Sequence, residues 1–98
     1  MMAMVIDPDA WFILVNPASG GGSATRFRPR LVTALECAGV PYHCVESAAP
    51  GDATSRFARA AYDGYRRMLA IGGDGTFNEL VNGLLASGVP PSDCLVAA

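Results

Sequence analysis

The chain has no lysine; all seven of its basic side chains are arginine. That absence excludes the P-loop kinases, because GxxxxGK[ST] needs a lysine ammonium on the terminal phosphates. Histidine occurs once, at His43, and the three cysteines, Cys37, Cys44 and Cys94, are widely spaced with no CxxC pair. An odd, scattered set of this kind implies neither a disulfide framework nor a zinc site. Buried reduced thiols are expected instead, with His43 packed or at a sheet edge. No apolar run approaches the roughly 20 residues that cross a bilayer. The longest near the start, Trp11 to Val15, is too short for a signal peptide, so a cytoplasmic protein is expected. Seven basic against nine acidic residues leave a net charge of -2, which argues against nucleic-acid binding through phosphate neutralisation.

What is present is a 98-residue chain that is 51% hydrophobic, enough for one domain with one core. Residues 1–10, opening on Met1, Met2 and Met4, read as an N-terminal extension or alternative starts. Residues 11–98 carry the pattern of a single α/β unit.

Trp11-Phe12-Ile13-Leu14-Val15 is a continuous apolar run of the kind found in strands buried on both faces of a parallel sheet. It stops at Asn16-Pro17-Ala18-Ser19, and Gly20-Gly21-Gly22 follow, a composition that predicts a flexible loop. Phe27, Leu31, Leu35 and Ala38 then recur at helical spacing up to Gly39. Pro29 is tolerated best in a first turn, so this helix is expected to begin near Thr25 to Arg28. Pro41 to Glu46 supplies a second strand. Asp52 is a fitting N-cap for a second helix with Phe57, Ala61 and Tyr65 on one face.

Arg67 to Ile71 reads as a third strand running straight into Gly72-Gly73-Asp74-Gly75-Thr76. In the helix that follows, Phe77, Leu80, Val81, Leu84 and Leu85 fit the i, i+3, i+4, i+7, i+8 template. Thr76 and Glu79 have capping-box spacing, and Gly88 with Pro90-Pro91 stops the helix. Cys94 to Ala97 begins a fourth strand. Strands alternating with helices predict an α/β fold of three layers: a parallel sheet with helices on both faces. Both glycine-rich stretches fall at the carboxyl ends of strands, where such sheets bind their ligands.

Glycine after a strand admits positive φ and close backbone approach, and a following helix offers free N–H groups and its positive dipole end. Phosphate is the guest such a site fits. The dinucleotide fingerprint GxGxxG fails, since Asn78 stands where its third glycine belongs. Asp74 would repel an anion unless a cation intervenes. Magnesium resolves that conflict, being commonly held by a carboxylate together with substrate phosphates. The competing reading is that Asp74 only caps the helix.

The run Gly72-Gly73-Asp74-Gly75-Thr76-Phe77-Asn78-Glu79-Leu80-Val81-Asn82-Gly83-Leu84 resembles the GGDGTxNEVxNGL signature of the diacylglycerol kinase catalytic domain, bacterial lipid kinases included. Asn16-Pro17-Ala18-Ser19-Gly20 is similar to that family's NPxSG segment, and Gly51-Asp52-Ala53 to the opening of its second helix. The resemblance runs from Trp11 onward. It implies a Rossmann-like fold of NAD kinase and diacylglycerol kinase type, broken off in the fourth strand. It further implies an ATP site lined by Asn16, Pro17, Ala18, Ser19, Gly20, Ser47, Gly72, Gly73, Asp74, Gly75, Thr76, Phe77 and Asn78. Asp74 is the implied catalytic and Mg2+-binding carboxylate. Gly83, inside a helix, is expected where another element approaches closely.

The implied activity is transfer of the γ-phosphoryl group of ATP to a lipid hydroxyl such as that of diacylglycerol. A following β-rich domain is expected to supply the catalytic base and the lipid surface, so the chain alone is expected to be inactive. Peripheral membrane contact and self-association through a free sheet edge belong to the same expectation. The alternatives are an NAD kinase or phosphofructokinase-like enzyme, which share a GGDG loop, and a non-catalytic nucleotide-binding module.

Overall fold

A computed structural model describes residues 6–49, 51–90 and 93–97. The expectations on Met1 to Met4 and Pro91 lie outside the described residues. Four strands, β1 (Trp11–Val15), β2 (Tyr42–Glu46), β3 (Arg67–Ile71) and β4 (Leu95–Ala97), form one sheet in the order β2-β1-β3-β4. Every pairing is parallel: Trp11 lies opposite Tyr42 on one side and Arg67 on the other, and Arg67 lies opposite Leu95. Three helices alternate with the strands, α1 (Ser23–Ala38), α2 (Asp52–Asp63) and α3 (Asp74–Ser87). The expected three-layer α/β architecture is therefore present.

Strand periodicity divides the core into two faces. Phe12 and Leu14 of β1, with Met68 and Ala70 of β3, form one cluster with Phe57, Ala60 and Ala61 of α2 and Leu80 and Leu84 of α3. The Phe12 ring meets Phe57 edge-on at 5.6 Å, an arrangement that suits aromatic quadrupoles. Ile13 and Val15 point to the opposite face and are fully buried. There α1 lies against the sheet, with Ala24 and Phe27 bordering Ile71. Residues 6–10 also touch the unit: Ala10 is buried and Asp9 pairs with Arg67 at 3.0 Å.

α2 and α3 approach closely at Gly83. A Cβ there would stand 2.7 Å from the Thr54 carbonyl oxygen and 2.8 Å from the Phe57 Cβ. The close approach expected at this glycine is realised, and the bare glycine is what permits it.

Several local expectations are corrected. α1 starts at Ser23, so Pro29 lies inside the helix rather than in its first turn. The segment before it is a 3-10 turn, Ser19–Gly22, joined directly to α1, where a loop was expected. Asp52 is the first residue of α2 and makes no capping bond; Gly51, at φ 85°, occupies the cap position. Thr76 is likewise not a cap. α3 begins two residues earlier and carries Thr76 in its first turn, 2% exposed. The cysteines are free, but Cys37 is exposed and Cys44 and Cys94 only half-buried. On α3, Leu80 and Leu84 are buried while Phe77, Val81 and Leu85 are 37%, 38% and 64% exposed. The apolar arc of α3 is wider than the surface that α2 and a three-residue edge strand can cover.

Candidate nucleotide site

The carboxyl ends of β1, β2 and β3 lie side by side, and the chain leaves each of them through small residues. Asn16 follows β1, and its N–H donates to the Ile71 carbonyl at 2.8 Å, extending the β1–β3 ladder by one bond. Its side-chain oxygen accepts the Ala18 N–H at 3.1 Å, the Asx turn that lets Pro17 and Ala18 bend away from the sheet. Ser47 extends the other ladder, its N–H donating to the Val15 carbonyl at 3.0 Å.

Beyond these ends opens a cleft of about 560 Å³ lined by Asn16, Pro17, Ala18, Ser47, Ala48, Ala49, Gly51, Gly73, Gly75, Thr76 and Glu79. That volume lies in the usual range for small-molecule sites.

Asn16, Pro17, Ala18, Ser47, Gly73, Gly75 and Thr76, singled out from the sequence, meet here. Gly72, Asp74, Phe77 and Asn78 are not among the lining residues. Gly72 instead allows close packing beneath the cleft: a Cβ on it would collide with the Thr76 hydroxyl and stand 3.1 Å from the Asn16 Cβ. Asp74 is exposed at the first position of α3. Phe77 and Asn78 face outward on α3, and Ser19 and Gly20 lie in the 3-10 turn beyond Ala18.

The two glycine loops differ in what they ask of glycine. Gly21 and Gly22 take positive φ, 64° and 92°. Gly72, Gly73 and Gly75 do not. In the second loop it is the missing side chain that counts. A Cβ on Gly75 would meet nothing within 4 Å, and Gly75 stands in the first turn of α3, where glycine gains nothing in helix propensity over alanine. Nothing in the packing of the chain requires glycine at this position.

Sequence reasoning missed Ala48, Ala49 and Gly51 as lining residues, whereas Glu79 is expected from the sequence to adjoin the site. Ala48 and Ala49 offer only backbone groups, so no side-chain chemistry marks them. Glu79 was legible, because it stands three residues after Thr76 and so on the same helix face.

None of the arginines lines the cleft. Arg28 pairs with Glu46, Arg56 with Asp52, Arg59 with Asp63 and Arg67 with Asp9, while Arg66 donates to the Ala61 and Tyr65 carbonyls. Positive potential in the cleft must come from backbone instead. In the first turn of α3 the Thr76 N–H donates to the Gly73 carbonyl at 3.0 Å, which leaves the N–H groups of Asp74 and Gly75 without intrahelical acceptors at the positive end of the dipole. Among the described residues, no three His, Cys, Asp or Glu side chains form a cluster able to hold a metal ion, and no helix is long and apolar enough to cross a membrane.

Residues 10–97 match the diacylglycerol kinase catalytic domain family. Curated relatives include a diacylglycerol kinase of Staphylococcus carnosus (strain TM300), 38% identical over 72 residues, which are 74% of this chain and 24% of the relative. Another, from Staphylococcus saprophyticus, is 38% identical over 80 residues, 82% of this chain and 26% of the relative. The chain thus spans about a quarter of the length of the curated relatives it matches. A solved structure of a diacylglycerol kinase from Bacillus anthracis str. Sterne superimposes with a TM-score of 0.61 at 26% identity, covering 86% of this chain and 28% of that one. A second structure from the same organism reaches a TM-score of 0.72 at 29% identity, covering 85% and 30%. The family match decides against the NAD kinase and phosphofructokinase readings, and with a parallel sheet whose strand ends bring both signature segments to one cleft, this chain belongs to the diacylglycerol kinase catalytic domain family.

Proposed function

We propose that this chain is the ATP-binding part of a lipid kinase that transfers the γ-phosphoryl group of ATP to a lipid hydroxyl such as that of diacylglycerol. The observation that carries the reading is Gly75. It sits in a helix where the fold leaves room for a side chain, yet it lines the cleft between the two signature segments. A glycine kept against helix propensity at a cleft wall fits a ligand that must approach the backbone closely.

The donor set suits a nucleotide polyphosphate. Asn16, Pro17 and Ala18 form one wall, Ser47, Ala48, Ala49 and Gly51 another, and Gly73 and Gly75 bring backbone N–H groups to the floor. For Mg2+ the fit is partial. Asp74 adjoins the two lining glycines, Glu79 lines the cleft, and a divalent ion held by one carboxylate would draw its remaining ligands from phosphate oxygens and water. When bound, Mg2+ supplies charge neutralisation on the transferred group.

The residues of this chain bind and orient the polyphosphate and exclude bulk water from its inner face. Uptake of the lipid hydroxyl proton is assigned to a base in the further sequence that relatives of about four times this matched length possess. Peripheral contact with a membrane, a cytoplasmic location and self-association along the exposed β4 edge, where Leu95 is 55% exposed, belong to the same reading.

The test is a titration of the isotope-labelled, demonstrably folded chain with MgATP, in which amide shifts at Asn16 to Ala18 and Gly73 to Thr76 are expected. A folded chain without shifts at millimolar nucleotide overturns the reading. In an enzyme that carries this domain, Asp74→Asn is expected to lower turnover far more than stability; unchanged turnover removes Asp74 from the mechanism.

A further inference from the structure

One wall of the cleft is tied to the sheet at its start, where the Ser47 N–H donates to the Val15 carbonyl, and needs a second anchor beyond that point. Ser47, Ala48, Ala49 and Gly51 line it, and their side chains are too small to anchor a loop by packing. Ala48 and Ala49 are exposed. The anchor comes from outside the wall. The Asp52 carboxylate accepts the Ala48 N–H at 2.8 Å through Oδ2, and the same oxygen accepts Nε–H of Arg56 at 2.8 Å. The Asp52 N–H closes the other side of the turn on the Ala49 carbonyl at 3.1 Å.

We infer that Asp52 and Arg56 are positioning residues for the nucleotide cleft: Asp52 clamps the Ala48 N–H and so fixes the wall that Ser47, Ala48, Ala49 and Gly51 line, and Arg56, one helical turn on, orients the carboxylate that does so. The inference rests on the cleft being the nucleotide site. Neither of these side chains lines that cleft, so their effect on a ligand passes through the loop backbone. A carboxylate bonded to a backbone N–H and to a guanidinium makes two charge-assisted bonds, stronger than neutral ones. A loop held this way is pre-organised, and pre-organisation raises affinity by removing the entropy of ordering from the binding step.

Asp52 also stands in the first turn of α2, where a negative charge stabilises a helix through its dipole. A purely helical role predicts something different. Under it, Asp52→Asn and Asp52→Ala both lower the melting temperature, and neither alters nucleotide affinity in the folded chain. Under the positioning role the two variants separate, because asparagine keeps an acceptor oxygen for Ala48 and alanine does not.

The experiment measures, for the full chain, hydrogen exchange at the Ala48 amide without nucleotide and the MgATP dissociation constant well below the melting temperature. Asp52→Ala is expected to speed Ala48 exchange at least tenfold and to weaken MgATP binding about tenfold, with Asp52→Asn retaining most of both. Arg56→Met, which leaves the helix charge in place, is expected to weaken binding severalfold and serves if Asp52→Ala does not fold. Wild-type affinity in both Asp52→Ala and Arg56→Met overturns the positioning role, as does equal loss in the asparagine and alanine variants of Asp52. Failure of the wild-type chain to bind MgATP overturns instead the nucleotide reading on which it rests, and accelerated Ala48 exchange then still reports whether the clamp holds the loop.

Discussion

The Asn16 carboxamide donates to the Thr76 hydroxyl oxygen over 3.4 Å, joining residues 60 positions apart. Each belongs to a different signature segment, and Gly72 makes room for the pair by presenting no Cβ to either. The contact is long for a hydrogen bond and therefore weak. Its importance lies in where it holds Asn16, whose other side-chain atom shapes the Pro17–Ala18 turn.

Thr76→Val keeps the shape of the buried side chain and removes the acceptor. Asn16 is only half-buried, so water can take over its N–H, and the loss of stability is expected to stay within about 0.5–1.5 kcal/mol. Nucleotide affinity should fall more than stability does. Urea unfolding and MgATP titration of the same variant check the two halves; an affinity equal to wild type refutes a role for the contact in binding.

Gly83→Ala is expected to destabilise the chain. Alanine favours a helix by about 1 kcal/mol over glycine. Here its methyl would stand 2.7 Å from the Thr54 carbonyl oxygen and press on backbone, and overpacking of this kind costs about 1–3 kcal/mol. A lowered denaturant midpoint with an unchanged m-value is the expected result, and a raised midpoint would show that α2 and α3 separate freely.

Gly75→Ala should do the opposite to stability. The added methyl meets nothing within 4 Å, so the propensity gain of up to about 1 kcal/mol is expected to appear in the melting curve. Gly75 lines the cleft, and MgATP binding is expected to be severely weakened. A stabilised variant with wild-type affinity would remove the observation on which the nucleotide reading depends.

Acid should loosen the cleft wall. The Ala48 N–H, and after it the Arg56 guanidinium, hold the Asp52 carboxyl below the usual carboxylate range. A carboxyl depressed in the folded state contributes stability above its unfolded pKa of about 3.9 and loses that contribution as pH falls through the lower folded value. Thermal melts in a series from neutral pH to pH 3 should decline at the acid end, less steeply for Asp52→Asn than for wild type. Identical acid slopes would show that Asp52 contributes nothing to the pH dependence.

Much of the molecule could be read in its sequence because the signals are local. The apolar run at Trp11 to Val15 coincides with β1, and the segment Arg67 to Ile71 with β3, since a largely apolar strand bounded by turn residues announces itself locally. The glycines at 39 and 88 end helices in the left-handed conformation that glycine tolerates. The signature segments Asn16 to Gly20 and Gly72 to Leu84 carry the resemblance to the family in the sequence alone. Helix starts were legible only approximately. Pro29 is accommodated inside α1, and Thr76 and Asp52, whose spacing suits caps, instead bond through their hydroxyl and carboxylate to Asn16 and back along the loop to Ala48.

What only the tertiary structure decided is which surfaces are covered and which groups meet. One helix carries Gly83 against α2 and Gly75 facing open space, a difference invisible in a sequence where both are glycine. Leu80 and Leu84 are buried and Val81 and Leu85 are not, because burial depends on the neighbour and not on the residue. Ala48 and Ala49 entered the cleft through backbone atoms that every residue shares. The sequence determined the order of strands and helices and the family, through periodicity and motif; the fold decided how the ends of three strands converge, and therefore which atoms can touch a ligand.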